Sequence, residues 1–155
     1  DTGRDILEYK GSPYSVGGSL IFFLQSLREP VIPSSIYAKC SDACVSFGDS
    51  RKYLLSITTV HYNVFHYLIA FFREGVLAHS ANNHLEVNDI GLYNIALNSF
   101  YNLVFLTMLL VKIFSPVLLH SPTATAESIE GSEQFLTNYL LVPPDEVTPA
   151  APKLI

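Results

Sequence analysis

SVGGSLIFFLQSLREPVIP, Ser15 to Pro33, is the stretch whose reading decides the fold. Val16, Leu20, Phe23, Leu24 and Leu27 recur at helical spacing and predict one buried helix face. Ser15 offers a cap at the start. Pro30 forces Glu29 out of helical geometry and ends the helix near Leu27. A second helical pattern follows in YNVFHYLIAFFRE, Tyr62 to Glu74. Here Val64, Phe65, Leu68, Phe72 and Val76 form one apolar stripe, which leaves Asn63, His66 and Arg73 for solvent. Ser34 or Ser35 caps a short helix from Ile36 to Cys44, and Asp49 caps another through Tyr53, Leu54 and Ile57. The central helix runs from Tyr62 to Leu77. Asn82 and Asn83 mark a turn, and Asn88 starts the next helix. A last helix, Ser128 to Leu141, turns Ile129, Phe135, Leu136, Tyr139 and Leu140 inward. The expectation is an all-α bundle.

At 155 residues and 17.2 kDa the chain has room for one domain. Apolar residues make up 49% and charged residues 15%, so a core is available and the surface is poor in charge. A net charge of -5 argues against nucleic acid as a partner, since a binder needs a basic face to displace counterions. The nine Lys and Arg are scattered, so no polybasic membrane patch forms. Cys40 and Cys44 share a helix face without paired His, a poor metal site and an expected pair of buried thiols in a reduced compartment. The chain lacks a signal peptide and an initiator Met and reads as an excerpt of something longer, with the cytoplasm as its expected location.

The wording of the two helices resembles a RhoGAP domain. Leu27-Arg28-Glu29-Pro30-Val31 matches the Leu-Pro-Glu-Pro-Leu-like turn of that family. Its Asn-x-Met and Phe-Gly-Pro-x-Leu-Leu segment is matched in two pieces, Asn83-His84-Leu85 and Phe114-Ser115-Pro116-Val117-Leu118-Leu119. The phrases SLREPVI, NVFHYLIAFFRE and NNHLEVNDI look like the RhoGAP-like domain of the OCRL and type II inositol polyphosphate 5-phosphatases. The likeness covers Asp1 to Ile90 and resumes from Ile113 to about Leu141. It implies a partial RhoGAP-like domain over 1–141 with an insert at 91–112, followed by a Pro-rich, disordered tail at 142–155.

Between the matched pieces lies GLYNIALNSFYNLVFLTMLLVK, Gly91 to Lys112, without a charge before Lys112. Three readings stay open. It is a foreign insert of splicing or gene modelling, the leading one; a genuine helix packing on the domain; or, with the residues up to Leu119, a membrane span, which needs ~20 apolar residues. Asn94, Asn98 and Asn102 oppose the span, because unpaired amides are costly in hydrocarbon. On the leading reading, deleting Gly91 to Lys112 sharpens the melt.

The resemblance also implies where chemistry would be. A GTPase activator inserts an arginine beside the γ-phosphate, and the family carries it on a loop ahead of the segment that begins at Asp1. That loop and the 5-phosphatase domain are expected to be absent from this chain. The GTPase-facing positions fall on Ile21, Gln25, Arg28, Asn83 and Asp89. The family's Lys and Arg are replaced by Ile21 and Gln25, and its Asn by Asp89, which repels phosphate. Arg28 takes the usual Pro position and is the one cation nearby. The implied function is a signalling module that binds Rac- or Cdc42-like GTPases and endocytic adaptor peptides without efficient catalysis. The alternatives are an active Rho GTPase-activating domain and a membrane-associated protein using 91–119. Neither a cofactor nor a metal is expected. Membrane association, at endosome or Golgi, would come through the parent protein or its partners. The residues themselves offer no G-x-S-x-G, P-loop or HExxH, and His61 and His66 miss the i,i+4 spacing of a helical metal pair. His61, His66, His79, His84 and His120 read as surface or turn residues. Tyr53, Tyr62 and Tyr67 read as core or rim, with a partner surface as the alternative.

Overall fold

A computed structural model describes residues 13–42, 47–79, 99–120 and 123–141, and six α-helices make up most of them. They are α1 (Pro13–Gln25), α2 (Ser34–Asp42), α3 (Phe47–Leu54), α4 (Thr59–Ala70), α5 (Ser99–Leu118) and α6 (Ala126–Leu141). The expected all-α RhoGAP-like bundle is what forms. Residues 1–12, 43–46, 80–98, 121–122 and 142–155 lie outside the described set, and with them Cys44, the expected turn at Asn82 and Asn83, the helix start at Asn88, Asp89 and the expected tail.

α1 starts at Pro13, ahead of Ser15; a proline there loses no bond, because first-turn N–H groups have no helical partner. The helix packs chiefly on α5, at the margin of the bundle. Its inner face is therefore narrow. Leu24 is buried and Leu20 and Ile21 pack against the core, whereas Val16, Phe23 and Leu27 are exposed. The stripe is thus narrower than the spacing suggested. A Cβ on Gly17 or Gly18 would meet nothing within 4 Å, so no close contact offsets the weak helix propensity there.

α4 begins at Thr59, earlier than Tyr62, with Thr58 extended ahead of it. Beyond Ala70 it widens into a π-helical segment, Phe71–Leu77, where the Ala78 N–H reaches back to the Arg73 carbonyl at 3.0 Å. The wide turn resets the inward face. Phe65, Leu68, Ile69 and Phe72 are buried, and the next buried residue is Leu77, with Val76 only partly covered. Val64 points outward. His66 and Arg73, expected in solvent, are half-buried instead. The His66 ring lies 4.3 Å from Tyr62 and 6.1 Å from Tyr139, and Arg73 Nη1 donates to the Tyr139 carbonyl at 3.4 Å. A guanidinium on the last turn of α6 also opposes the negative end of that helix's dipole.

α6 is the element around which the rest is arranged, packing on α2, α3 and α5. It starts at Ala126 because Thr125 and Ser128 bond reciprocally, side chain to backbone, at 2.8 and 3.2 Å. Phe135, Leu136, Tyr139 and Leu140 are buried as expected; Ile129 is exposed. Phe65 meets Tyr139 edge-on at 5.0 Å and Phe135 at 5.7 Å, and Phe47 closes on Tyr139 at 5.1 Å.

The stretch expected to be foreign supplies the first part of α5. Leu106, Thr107 and Val111 are buried on the same face as Phe114, Val117 and Leu118. Thr107 Oγ1 donates to the Leu103 carbonyl at 2.8 Å, and Lys112 Nζ reaches Glu133 Oε2 on α6 at 2.6 Å. Residues 103–112 thus continue the same helix face as the segment after them. No described helix is long and apolar enough to cross a membrane.

Burial and the nearby Arg51 guanidinium both push the His66 pKa below its ordinary 6.5. The folded state holds the neutral ring, so below about pH 6.5 the unfolded chain binds more protons. The stabilisation His66 provides is complete above that pH and is lost as pH falls through the lowered folded value. His66→Phe keeps a ring in the stack and removes the proton. Melting temperatures measured from pH 7.5 down to about 5 should fall less for the variant than for the native chain; parallel curves would show that His66 does not titrate with folding.

Candidate functional site

Pro30 both ends the approach from α1 and aims the chain into the bundle. Val31, Ile32 and Pro33 are buried, and Ile32 forms an isolated parallel bridge with Leu119, its N–H donating to the Leu118 carbonyl at 2.9 Å. Ser34 Oγ donates to the His120 carbonyl at 3.2 Å. The Pro turn is thereby sewn to the end of α5. On its other side His61 reaches down from α4: Nδ1 lies 2.9 Å from the Val31 carbonyl and Nε2 3.6 Å from Glu29 Oε2. Nδ1–H donates to the Val31 carbonyl, while the Glu29 carboxylate stands at ion-pair distance, too far for a hydrogen bond.

This sewing leaves an open groove of about 460 Å³ between the end of α1, the Pro turn and the end of α5. Leu24, Leu27, Pro116 and Val117 give it an apolar floor, and Gln25, Arg28, Ser34 and His120 give it a polar rim. Pro116 sits inside α5, where it has no N–H to return to the Lys112 carbonyl.

Of the five positions expected to face a GTPase, Gln25 and Arg28 line this groove and are exposed. Ile21, one turn back on the same helix, is half-buried against the core. Asn83 and Asp89 lie outside the described residues. Sequence reasoning did not find Ser34, Pro116, Val117 and His120 as groove residues, because only the bridge from Ile32 to Leu119 brings them there. It also passed over His61 as an ordinary histidine; its link to Val31 depends on the same turn. Among the described residues, no three His, Cys, Asp or Glu side chains converge as metal ligands would. Nor do an acid, a base and a nucleophile meet in the groove. The groove is an apolar trough with the Arg28 guanidinium at its lip.

A family model described as RhoGAP domain matches residues 2–99. The chain belongs to the RhoGAP domain family. The match takes in α1 to α4 and the Pro turn, and ends at the first residue of α5. The chain is also 42% identical over 88 residues to the type II inositol 1,4,5-trisphosphate 5-phosphatase of Mus musculus. That stretch is 57% of this chain and 9% of the mouse protein, so it spans under a tenth of the length of the curated relative. In RhoGAP terms, the groove lies beside the helix and Pro turn that carried the resemblance.

Proposed function

We propose that this RhoGAP domain is a docking module that binds Rho-family GTPases of the Rac and Cdc42 kind without accelerating GTP hydrolysis. It would act within a protein of the inositol polyphosphate 5-phosphatase type, in the cytoplasm and at endosome or Golgi membranes reached through that protein, with endocytic adaptor peptides as further partners. The observation that carries this reading is the chemistry of α1. Ile21 packs its hydrocarbon against the core, Gln25 offers an amide, and Arg28 is the one cation at the groove. Stabilising charge on a transferring phosphoryl group is worth 10³–10⁵ in rate when an arginine supplies it. An amide and an alkyl group at the supporting positions supply no positive charge.

The test is single-turnover hydrolysis by a GTP-loaded Rac-type GTPase, with binding followed separately by calorimetry. The domain at saturation should leave the hydrolysis rate within about threefold of the intrinsic one. Arg28→Glu should weaken binding by roughly tenfold through like-charge repulsion with an acidic partner surface. A hundredfold faster release of phosphate, or no binding at all, overturns the proposal.

A further inference from the structure

From Arg28 to Pro33 the backbone bends without closing a hydrogen-bonded turn of its own. The sequence leaves it little means to do so, because Pro30 and Pro33 both lack the N–H that such a turn would use. Its shape is therefore imposed from outside. α5 holds one end through the Ile32 N–H, 2.9 Å from the Leu118 carbonyl. Among the described residues, the polar ties on residues 28–31 come from one side chain, His61 on the first turn of α4. Arg28, at the lip of the groove, lies between the end of α1 and those ties.

Which ring nitrogen carries the proton decides what His61 does. A backbone carbonyl can only accept, so the 2.9 Å contact with Val31 needs the proton on Nδ1. The Glu29 carboxylate pulls the other way, toward a proton on Nε2, but from 3.6 Å and with 56% of its side chain exposed to screening water. Val31 is buried, so water does not take the place of a lost donor there. The carbonyl wins. We infer that His61 is a positioning residue for the groove: its Nδ1–H fixes the Val31 carbonyl, and through it the direction from which the Pro turn presents Arg28. The presentation of Arg28 to a partner rests on the docking reading; the hold on the turn does not. What the site requires is a donor at the Nδ1 position rather than an imidazole as such. Asn carries its amide NH2 as many bonds from Cβ as Nδ1 stands, whereas Leu fills the space and donates nothing.

The test uses the full chain. At about pH 8, above the range where imidazoles ordinarily titrate, nitrogen-15 spectra should place the His61 ring proton on Nδ1; a proton on Nε2 overturns the inference. In the free chain, His61→Leu should move the backbone amide resonances between Leu27 and Ile32, and His61→Asn should leave them near their native positions. Equal effects of the two substitutions overturn it as well. In calorimetry with a Rac-type GTPase, His61→Leu should weaken binding about fivefold, since a loosened turn has to be ordered on contact, and His61→Asn less than about twofold. On an Arg28→Ala background His61→Leu should cost nothing more, because it acts through Arg28; losses that multiply overturn the positioning role. A native chain that binds no GTPase overturns the docking reading and with it the role of Arg28, while the ring proton and the amide resonances still report the hold of His61 on the turn.

Discussion

Deleting Gly91 to Lys112 is expected to abolish the cooperative melt of the domain. The sequence reading expected the opposite, a tidier domain without the stretch. The deletion removes Leu106, Thr107 and Val111 from the interior and takes away the Lys112–Glu133 pair that joins α5 to α6. Losing a buried Leu costs about 2–5 kcal/mol, and a buried Val less, before the backbone of α5 is counted. A domain of ordinary stability has only about 5–15 kcal/mol in all. The ion pair matters little here, because Lys112 is mostly exposed and such pairs contribute about 0–1 kcal/mol. Leu106→Ala isolates the packing component and should lower stability by about 2–4 kcal/mol in urea. A shortened chain that melts as sharply and as high as the native one would show that the segment from Ile113 docks without the helix preceding it.

Phe65→Ala should be the most damaging single substitution in α4, costing about 3–5 kcal/mol. Phe65 has no exposed surface and touches rings from α6 on two sides, so truncation opens a cavity between two helices that no neighbour can fill. Tyr67, close by on the same helix, is mostly exposed, and its truncation should change stability by less than about 0.5 kcal/mol. Urea unfolding of the two variants tests the assignment of inner and outer faces. Equal losses would mean that the helix is rotated about its axis.

How much of this was legible follows from which residues carried information locally. Pro30 told where α1 stops, and the strong apolar period around Phe65, Leu68 and Phe72 told which way α4 faces. Both are effects within one turn of chain. The inward face of α1 was read too wide, because Val16, Phe23 and Leu27 satisfy the period while α5, its chief neighbour among the described residues, leaves them exposed. The π-helical segment was invisible: it moves burial from Val76 to Leu77 through a backbone adjustment that leaves no trace in composition. The helical use of residues 99–112 was masked by the broken family likeness on its amino-terminal side. For the groove, Gln25 and Arg28 were legible by resemblance. Ser34 and His120 were not, since they meet through a hydrogen bond from the Ser34 hydroxyl to the His120 carbonyl, far apart in sequence.

The Ser34 hydroxyl meets the His120 carbonyl across 86 residues of chain, beside the bridge from Ile32 to Leu119. A closure of that span is entropically dear and has to be repaid by packing that already exists. During synthesis, then, the amino-terminal helices emerge first and wait, with one wall of the trough still inside the ribosome. No nascent or truncated chain that stops before α5 has the groove to offer, whatever else of the bundle it has formed. Any partner that reads it reads the arrival of α5 as well.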